Sequence, residues 1–454
     1  MLRLARLTLR ERVASLLGTL AATAVGAALT ISAFEVLAAA EGATRPGHAT
    51  HAQRLAGAAG EYLLGLMALI VAFATVFVVA GTASYATAVR RRELGLLRAT
   101  GATPWQIRRL IVGESALVAL CGGALGALGS PLVGPALVAW LSSRGMMPSG
   151  VHPAISPAAI PFGCGLMIAV SVPGAWPAAN RCAKIAPSEA LREAELDHRA
   201  IGALRWLAGI GCLGLAVYVV GRAVGGEVRG MLAVTSVEAV LVVLGLGLLA
   251  PVVVPAVTRV VPVPHGLEGW IARRHARIAS RRGAAMAAPI MLVIGLTAAL
   301  GTVVDTAQAG VSGHVADPTS STNMNPVALQ LIVGIVLLYV AVALAGTAVT
   351  ATAARSRELV ALRLTGATRG QVLTAVASEA VLISLAGIGL GLLTVVGGLV
   401  GRLSAGQVGR PPVIPWGWLA VVTAVCVTVS AAAAAIAAAR GPAGVPRLPA
   451  GAGT

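Results

Sequence analysis

The sequence predicts an all-α polytopic membrane protein: about ten transmembrane helices, arranged as two duplicated four-helix sets joined by two linking helices. Three observations carry that prediction. The chain is 57% hydrophobic and only 11% charged, against roughly 25% charged residues in an average soluble domain. Its mean hydropathy is +0.87, and apolar runs recur at lengths that cross a hydrocarbon core of ~30 Å. One polar stretch also occurs twice, in register, which marks an internal duplication.

The first copy reads Arg92-Glu93-Leu94-Gly95-Leu96-Leu97-Arg98-Ala99-Thr100-Gly101-Ala102-Thr103-Pro104-Trp105-Gln106. The second reads Arg357-Glu358-Leu359-Val360-Ala361-Leu362-Arg363-Leu364-Thr365-Gly366-Ala367-Thr368-Arg369-Gly370-Gln371. The offset is 265 residues (358 − 93), held without a gap through Glu114/Glu379, Leu120/Leu385, Gly122/Gly387 and Gly126/Gly391. Thr103 with Gln106, and Thr368 with Gln371, fit the capping box that starts a helix. Pro104 occupies the favoured first helical position. Gly101 and Gly366 stand where a preceding helix needs a left-handed stop. Each copy therefore reads as a polar elbow between two long apolar segments.

The elements follow in order. Residues 1–13 place Arg3, Arg6, Arg10 and Arg12 between leucines, as a basic amphipathic lead-in on the membrane surface. The apolar run at about 14–40 ends in Ala38-Ala39-Ala40, which imitates a signal-peptidase site. The run exceeds the about 7–15 residues of a signal core, and the offset carries it onto another apolar run near 286–308, so it is read as an uncleaved helix. Further runs lie at about 61–89, 111–141, 157–180, 203–222, 232–257, 286–308, 327–353, 372–402 and 415–439. The first repeat is then 1–200, the linking helices 201–257, the second repeat 258–440, and 441–454 a disordered Gly/Pro/Ala tail. After the fourth helix, Pro187 to Glu193 reads as a cytoplasmic amphipathic helix capped at Ser188. Residues 268–285 form a second basic lead-in. The outer segments 41–60 and 309–326 are too short for a folded domain.

Charge sets the orientation. The net charge is +17, which in a soluble chain would point to nucleic acid. Here, with the N-terminus inside, the inner segments hold 27 of the 34 Lys+Arg residues. That bias satisfies the positive-inside rule, excludes a nucleic-acid partner as the reason for the charge, and places both termini and both elbows in the cytoplasm. Tryptophans agree as interface markers, Trp140, Trp416 and Trp418 outside and Trp176 and Trp206 inside.

Chemistry-bearing motifs are few. There is no phosphate loop, nucleophile elbow or HExxH, so the chain is not expected to be an enzyme. The five cysteines lack CxxC spacing, and no metal or cofactor site is expected. His48 and His51 fit one helical face, as a metal pair or a solvated loop pair. Five acidic residues lie in or near the membrane: Glu35, Glu114, Glu238, Asp305 and Glu379. Intramembrane carboxylates are functional candidates by default. Glu114 and Glu379 read either as a proton or substrate relay or as interfacial carboxylates paired with arginines such as Arg108, Arg109 or Arg363. Gly122, Gly126 and Gly129, with Gly387, Gly391, Gly397, Gly398 and Gly401, make small-residue faces for close helix packing. Pro131 and Pro135 should kink or break the third helix.

The elbow pattern Arg-Glu-Leu-(x)2-Leu-Arg-x-Thr-Gly-Ala-Thr-(x)2-Gln, between a transmembrane helix and a Gly-rich one, resembles the FtsX-like permease family of ABC transporters, the type VII or mechanotransmission class. The Pro187-Ser188-Glu189-Ala190-Leu191-Arg192 segment is similar to that family's ending after the helix. The resemblance covers both four-helix sets. It implies that Glu93, Leu94, Leu97, Arg98, Gly101, Ala102, Thr103 and Gln106 form one docking elbow for a separate cytoplasmic ABC ATPase. Glu358, Leu359, Leu362, Arg363, Gly366, Ala367, Thr368 and Gln371 would form the second, so that one chain serves two ATPase copies. ATP and Mg would be held by that partner, with no cofactor in this chain. Family members usually carry a large outer domain, and this chain has none between its helices. The expected function is therefore export or extraction of a hydrophobic or amphiphilic cargo from the lipid of a bacterial plasma membrane. Two alternatives stand beside it: a mechanotransmission protein that moves no cargo, and a proton-driven secondary transporter using Glu114 and Glu379.

Overall fold

The computed structural model describes residues 2–43, 51–89, 91–144, 159–184, 203–222, 228–260, 280–311, 326–354, 356–404 and 414–439. Every regular element among them is a helix: α1 (Leu2–Ala43), α2 (His51–Val89), α3 (Arg91–Ala99), α4 (Pro104–Ser143), α5 (Ala159–Lys184), α6 (Ala203–Arg222), α7 (Val228–Val260), α8 (Ser280–Val311), α9 (Pro326–Ala354), α10 (Ser356–Leu364), α11 (Arg369–Ser404) and α12 (Trp416–Ala439). Among the described residues nine helices are long and apolar enough to cross a membrane, and α7 adds a shorter apolar stretch, Val234–Ala250. The chain is an all-α, multi-pass membrane protein.

The helices overrun the apolar runs that announce them. α1 starts at Leu2, so the basic lead-in and the first span form one helix rather than two elements. α1 reaches Ala43 and α2 begins at His51, which turns most of the segment expected as an outer loop, 41–60, into helix. Its alanine-rich composition carries a helix at little cost. α4 runs through Pro131 and Pro135 without breaking. Burial of Ser130, Gly134, Leu137 and Val138 holds that stretch, and tertiary packing outweighs the lost backbone bonds. The segment after Lys184, the second basic lead-in up to Arg277, His48 and the tail 441–454 lie outside the described residues.

The duplication is a duplication of packing. In the first repeat α1 lies on α2, α4 and α5, while α5 also lies on α2 and α4. In the second, α8 lies on α9, α11 and α12, while α12 also lies on α9 and α11. Matched glycines make close approaches in both. A Cβ at Gly126 would stand 2.5 Å from the Ala24 carbonyl oxygen, and one at Gly391 2.7 Å from Ile294 Cβ. Gly122 faces Thr23, and Gly387 faces the Ala287 carbonyl. Gly129 makes only ordinary contact, with Ala28. The environments of Gly397, Gly398 and Gly401 lie outside the description. Ser32 Oγ donates to the Ser130 carbonyl at 3.4 Å, and Thr394 Oγ1 to the Gly295 carbonyl at 3.2 Å, tying the same helix pairs.

These contacts fix direction. Gly122 meets Thr23 and Gly126 meets Ala27, so α1 and α4 run parallel. One cavity brings together Met286 near the start of α8, Thr352 near the end of α9, Leu359 of α10, Val376 near the start of α11 and Ala434 near the end of α12. Gly346, near the end of α9, meets Gly18, near the start of α1. Both elbows therefore lie at one end of the bundle.

The linking helices break the symmetry between the halves. α7 packs on α6, α8 and α11 and touches α2. A Cβ at Gly247 of α7 would meet Phe77 of α2 at 3.1 Å and Met291 of α8 at 3.6 Å. α6 braces α7 where Gly209 and Gly245 cross: a Cβ on either would stand within about 3.3 Å of the other's carbonyl oxygen. Pro251 has no N–H for the Gly247 carbonyl four residues earlier. Arg205 supplies donors there instead, Nη2 to the Gly247 carbonyl at 3.4 Å and Nε to the Leu248 carbonyl at 2.7 Å.

Candidate functional site

Each elbow is a short helix, a stop and a capped long helix. At the first stop the Gly101 N–H donates to the Arg98 carbonyl at 3.1 Å and the Ala102 N–H to the Leu97 carbonyl at 3.0 Å. At the second, Gly366 donates to Arg363 and Ala367 to Leu362, both at 3.1 Å. This is the Schellman pattern, whose turning residue adopts a left-handed conformation. Gly101 has φ +100 and Gly366 φ +99, and among the described residues no other carries a positive φ. Only glycine takes such an angle without strain.

The capping boxes are formed as the sequence predicts. The Thr103 N–H donates to Gln106 Oε1 at 2.8 Å, and the Gln106 N–H to Thr103 Oγ1 at 3.3 Å. Thr368 and Gln371 repeat the exchange at 2.9 and 3.2 Å. Arg98 Nη1 adds a bond to the Ala102 carbonyl at 3.0 Å, closing the first elbow on itself.

The apolar elbow residues divide into anchors and surface. Leu94 is buried against Ile107, Ile111, Ala179 and Cys182, which joins α3 to α4 and α5. Leu359 is buried against Val372 and Ala438. Leu97 is exposed, whereas its counterpart Leu362 is half-buried. Arg363 is half-buried, and Glu93 and Glu358 both engage partners. Sequence comparison of the two copies passes over three exposed side chains: Trp105 (64% exposed), Leu96 (53%) and Leu364 (75%). Their counterparts are Gly370, Ala361 and Ala99, so a search for matched residues discards them. An elbow that exposes tryptophan and leucine beside arginine offers a protein partner an aromatic and apolar anchor.

The four acidic candidates with described side chains are not gathered into one site. Glu114 is half-buried and Glu379 buried, both towards the elbow end, and both engage partners. Glu379 lines the small cavity that stands over α10. Glu35 on α1 and Glu238 on α7 lie towards the opposite end. Glu35 is half-buried with Oε1 lacking a hydrogen bond, and Glu238 is 1% exposed with neither oxygen bonded, among the described residues. Asp305 lies on α8, with its side chain outside the description. Among the described residues no group of His, Cys, Asp and Glu is arranged for a metal ion, and all five cysteines are free.

Comparison with protein families matches residues 65–187 and 330–441 to the FtsX-like permease C-terminal family, more than half of the chain. The matched segments begin 265 residues apart (330 − 65), the same offset as the duplication. Each contains one elbow and the helix that follows it. A search of curated proteins finds no match. FtsX-like permeases generally work with a cytoplasmic ABC ATPase. With an elbow of the same internal geometry inside each matched segment, the chain belongs to the FtsX-like permease family, as a duplicated membrane component of an ABC-type system.

Proposed function

We propose that this permease exports or extracts a hydrophobic or amphiphilic cargo from a bacterial plasma membrane, driven by a cytoplasmic ATPase docked at both elbows, one copy at each. The observation that carries the proposal is the pair of elbows: same stop, same cap, same end of the bundle. The arginine-rich segments fall at that end, which supports a cytoplasmic face for the elbows and both termini. ATP and Mg belong to the ATPase, and this chain converts the ATPase's closure into helix movement.

The geometry supports a rigid transmission. Leu94 and Leu359 pin the short helices, and the capping boxes hold their angle to α4 and α11. The glycine crossings lock α4 to α1 and α11 to α8. A push on an elbow therefore moves a four-helix set, and the displacement is taken up where the sets meet.

The test is reconstitution of permease and ATPase in vesicles with a labelled amphiphile. ATP-dependent loss of the amphiphile from its starting leaflet, together with cargo-stimulated hydrolysis, is expected. Tight coupling of hydrolysis to the elbows without cargo movement would support mechanotransmission instead. Cargo movement that ignores ATP but is abolished by the double variant Glu114→Gln, Glu379→Gln would support a proton-driven transporter.

A further inference from the structure

We propose that Glu238 binds the cationic head of an amphiphilic cargo, held in the seam where α7 meets α2 and α8. This deepens the transport reading and rests on it, by naming the class of cargo. Glu238 is 1% exposed and neither of its oxygens has a hydrogen-bond partner among the described residues. Its helix neighbours Ala239, Val242 and Val243 are buried core. A buried carboxylate without a partner is among the costliest arrangements a protein holds, and an apolar residue of similar size packs better. Packing therefore gives no reason for an acid here, whereas a ligand of opposite charge does.

The seam sets Glu238 near one membrane face, with aromatic rings deeper along it. Val243 meets Gly295 and Val254 meets Gly283, so α7 runs antiparallel to α8 and Glu238 stands level with the turn around Leu300. Deeper in the same seam, Phe77 of α2 lies against Gly247. Phe73 stacks one turn nearer to Glu238, its ring centroid 6.0 Å from that of Phe77. A carboxylate near one membrane face with aromatic rings beneath it matches a lipophilic cation, whose head pairs with the acid and whose body lies on the rings. A proton is a poorer match, because among the described residues no hydrogen-bonded neighbour stands ready to pass it on. The seam also lies between the two repeats, where α7 adjoins the direct contact of α2 with α8 and no pair of glycines closes it.

Binding of tetraphenylphosphonium to the full chain in nanodiscs tests this, with tetraphenylborate as a probe of equal shape and opposite charge. The wild-type chain, alone or with its ATPase in nucleotide-free and ATP-bound states, is expected to bind the cation saturably and to prefer it to the anion. Glu238→Gln is expected to fold, since it removes an unpartnered charge, and to weaken cation binding about 30-fold or more, a loss in the range of a broken buried charge pair. Phe73→Leu should weaken it less, leaving the preference for the cation. Equal cation binding by wild type and Glu238→Gln overturns the proposal, as does an absence of saturable binding in every nucleotide state. Either failure, with the ATPase still bound at the elbows, removes the cargo assignment and leaves the transport reading standing.

Discussion

Gly18 of α1 and Gly346 of α9 meet backbone to backbone: a Cβ on Gly18 would stand 2.8 Å from the Gly346 carbonyl oxygen, and one on Gly346 2.9 Å from that of Gly18. The duplication makes Gly283 and Gly81 their counterparts (18 + 265 and 346 − 265). Those two do not meet. Gly283 faces Val254 of α7, and Gly81 has nothing within 4 Å. One seam between the halves is thus closed glycine on glycine, while at the other α2 lies on α8 with α7 packed beside them. Next to the closed seam, Thr30 and Thr75 share a hydrogen bond of 3.0 Å, and the Tyr339 hydroxyl reaches over Gly26 to the same place. A symmetric pair of repeats acquires a front and a back from this difference.

The closed seam tolerates no side chain. Gly346→Val forces α1 and α9 apart, and overpacking of this kind costs about 1–3 kcal/mol. Gly81→Val meets open space and costs only the change in local propensity. Thermal unfolding of the two variants in one detergent should show a clear fall for Gly346→Val and little change for Gly81→Val.

Arg205 holds the α6–α7 hairpin through the Gly247 carbonyl, left without a donor by Pro251, and the Leu248 carbonyl beside it. Arg205→Ala should destabilise that hairpin by about 1–3 kcal/mol, the cost of leaving buried acceptors unsatisfied. Hydrogen exchange should rise in α6 and α7 first. Uniform exchange across the bundle would show that the arginine does not act there.

The glycine stops set the elbow angle. Gly101→Val with Gly366→Val places a β-branched residue at φ near +100, a strain of about 1–3 kcal/mol at each site. The strain falls on exposed turns rather than on the core, so the membrane helices should keep their unfolding temperature while ATP hydrolysis loses its response to cargo. Normal coupling in a well-folded double variant contradicts the elbow account.

The two elbows are unequal in what they expose. Trp105 and Leu96 project from the first, and the second offers Leu364. Trp105→Ala should weaken ATPase binding by about 2 kcal/mol, as loss of an aromatic anchor does. Thr103→Ala removes only a cap and should cost about 1 kcal/mol of local helix stability. Binding titrations of the isolated ATPase against permease in detergent separate the two.

The elbows were legible in the sequence because their physics is local. A stop at Gly101 and a cap at Thr103 depend on residues within six positions, and both repeat at Gly366 and Thr368. The membrane class was legible because length and hydrophobicity alone decide it. What the sequence hid is what depends on a neighbour far along the chain. Gly18 and Gly81 look alike as letters, and only packing makes one a contact and the other an open surface. Glu238 was visible as an acid but had no assignment, since its isolation depends on helices on either side of α7. Leu94 appeared as an interaction residue and is a buried anchor, while Trp105, which the repeat lacks in its second copy, stands on the surface.

In the proposed function the two elbows serve two ATPases. Mass measurement of the intact complex, purified in mild detergent through a tag on this chain, tests it most directly. One permease chain with two copies of a phosphate-loop ATPase is expected, falling to fewer when either elbow's glycine is replaced by valine. A purified chain that retains other membrane partners but carries no ATPase would contradict it.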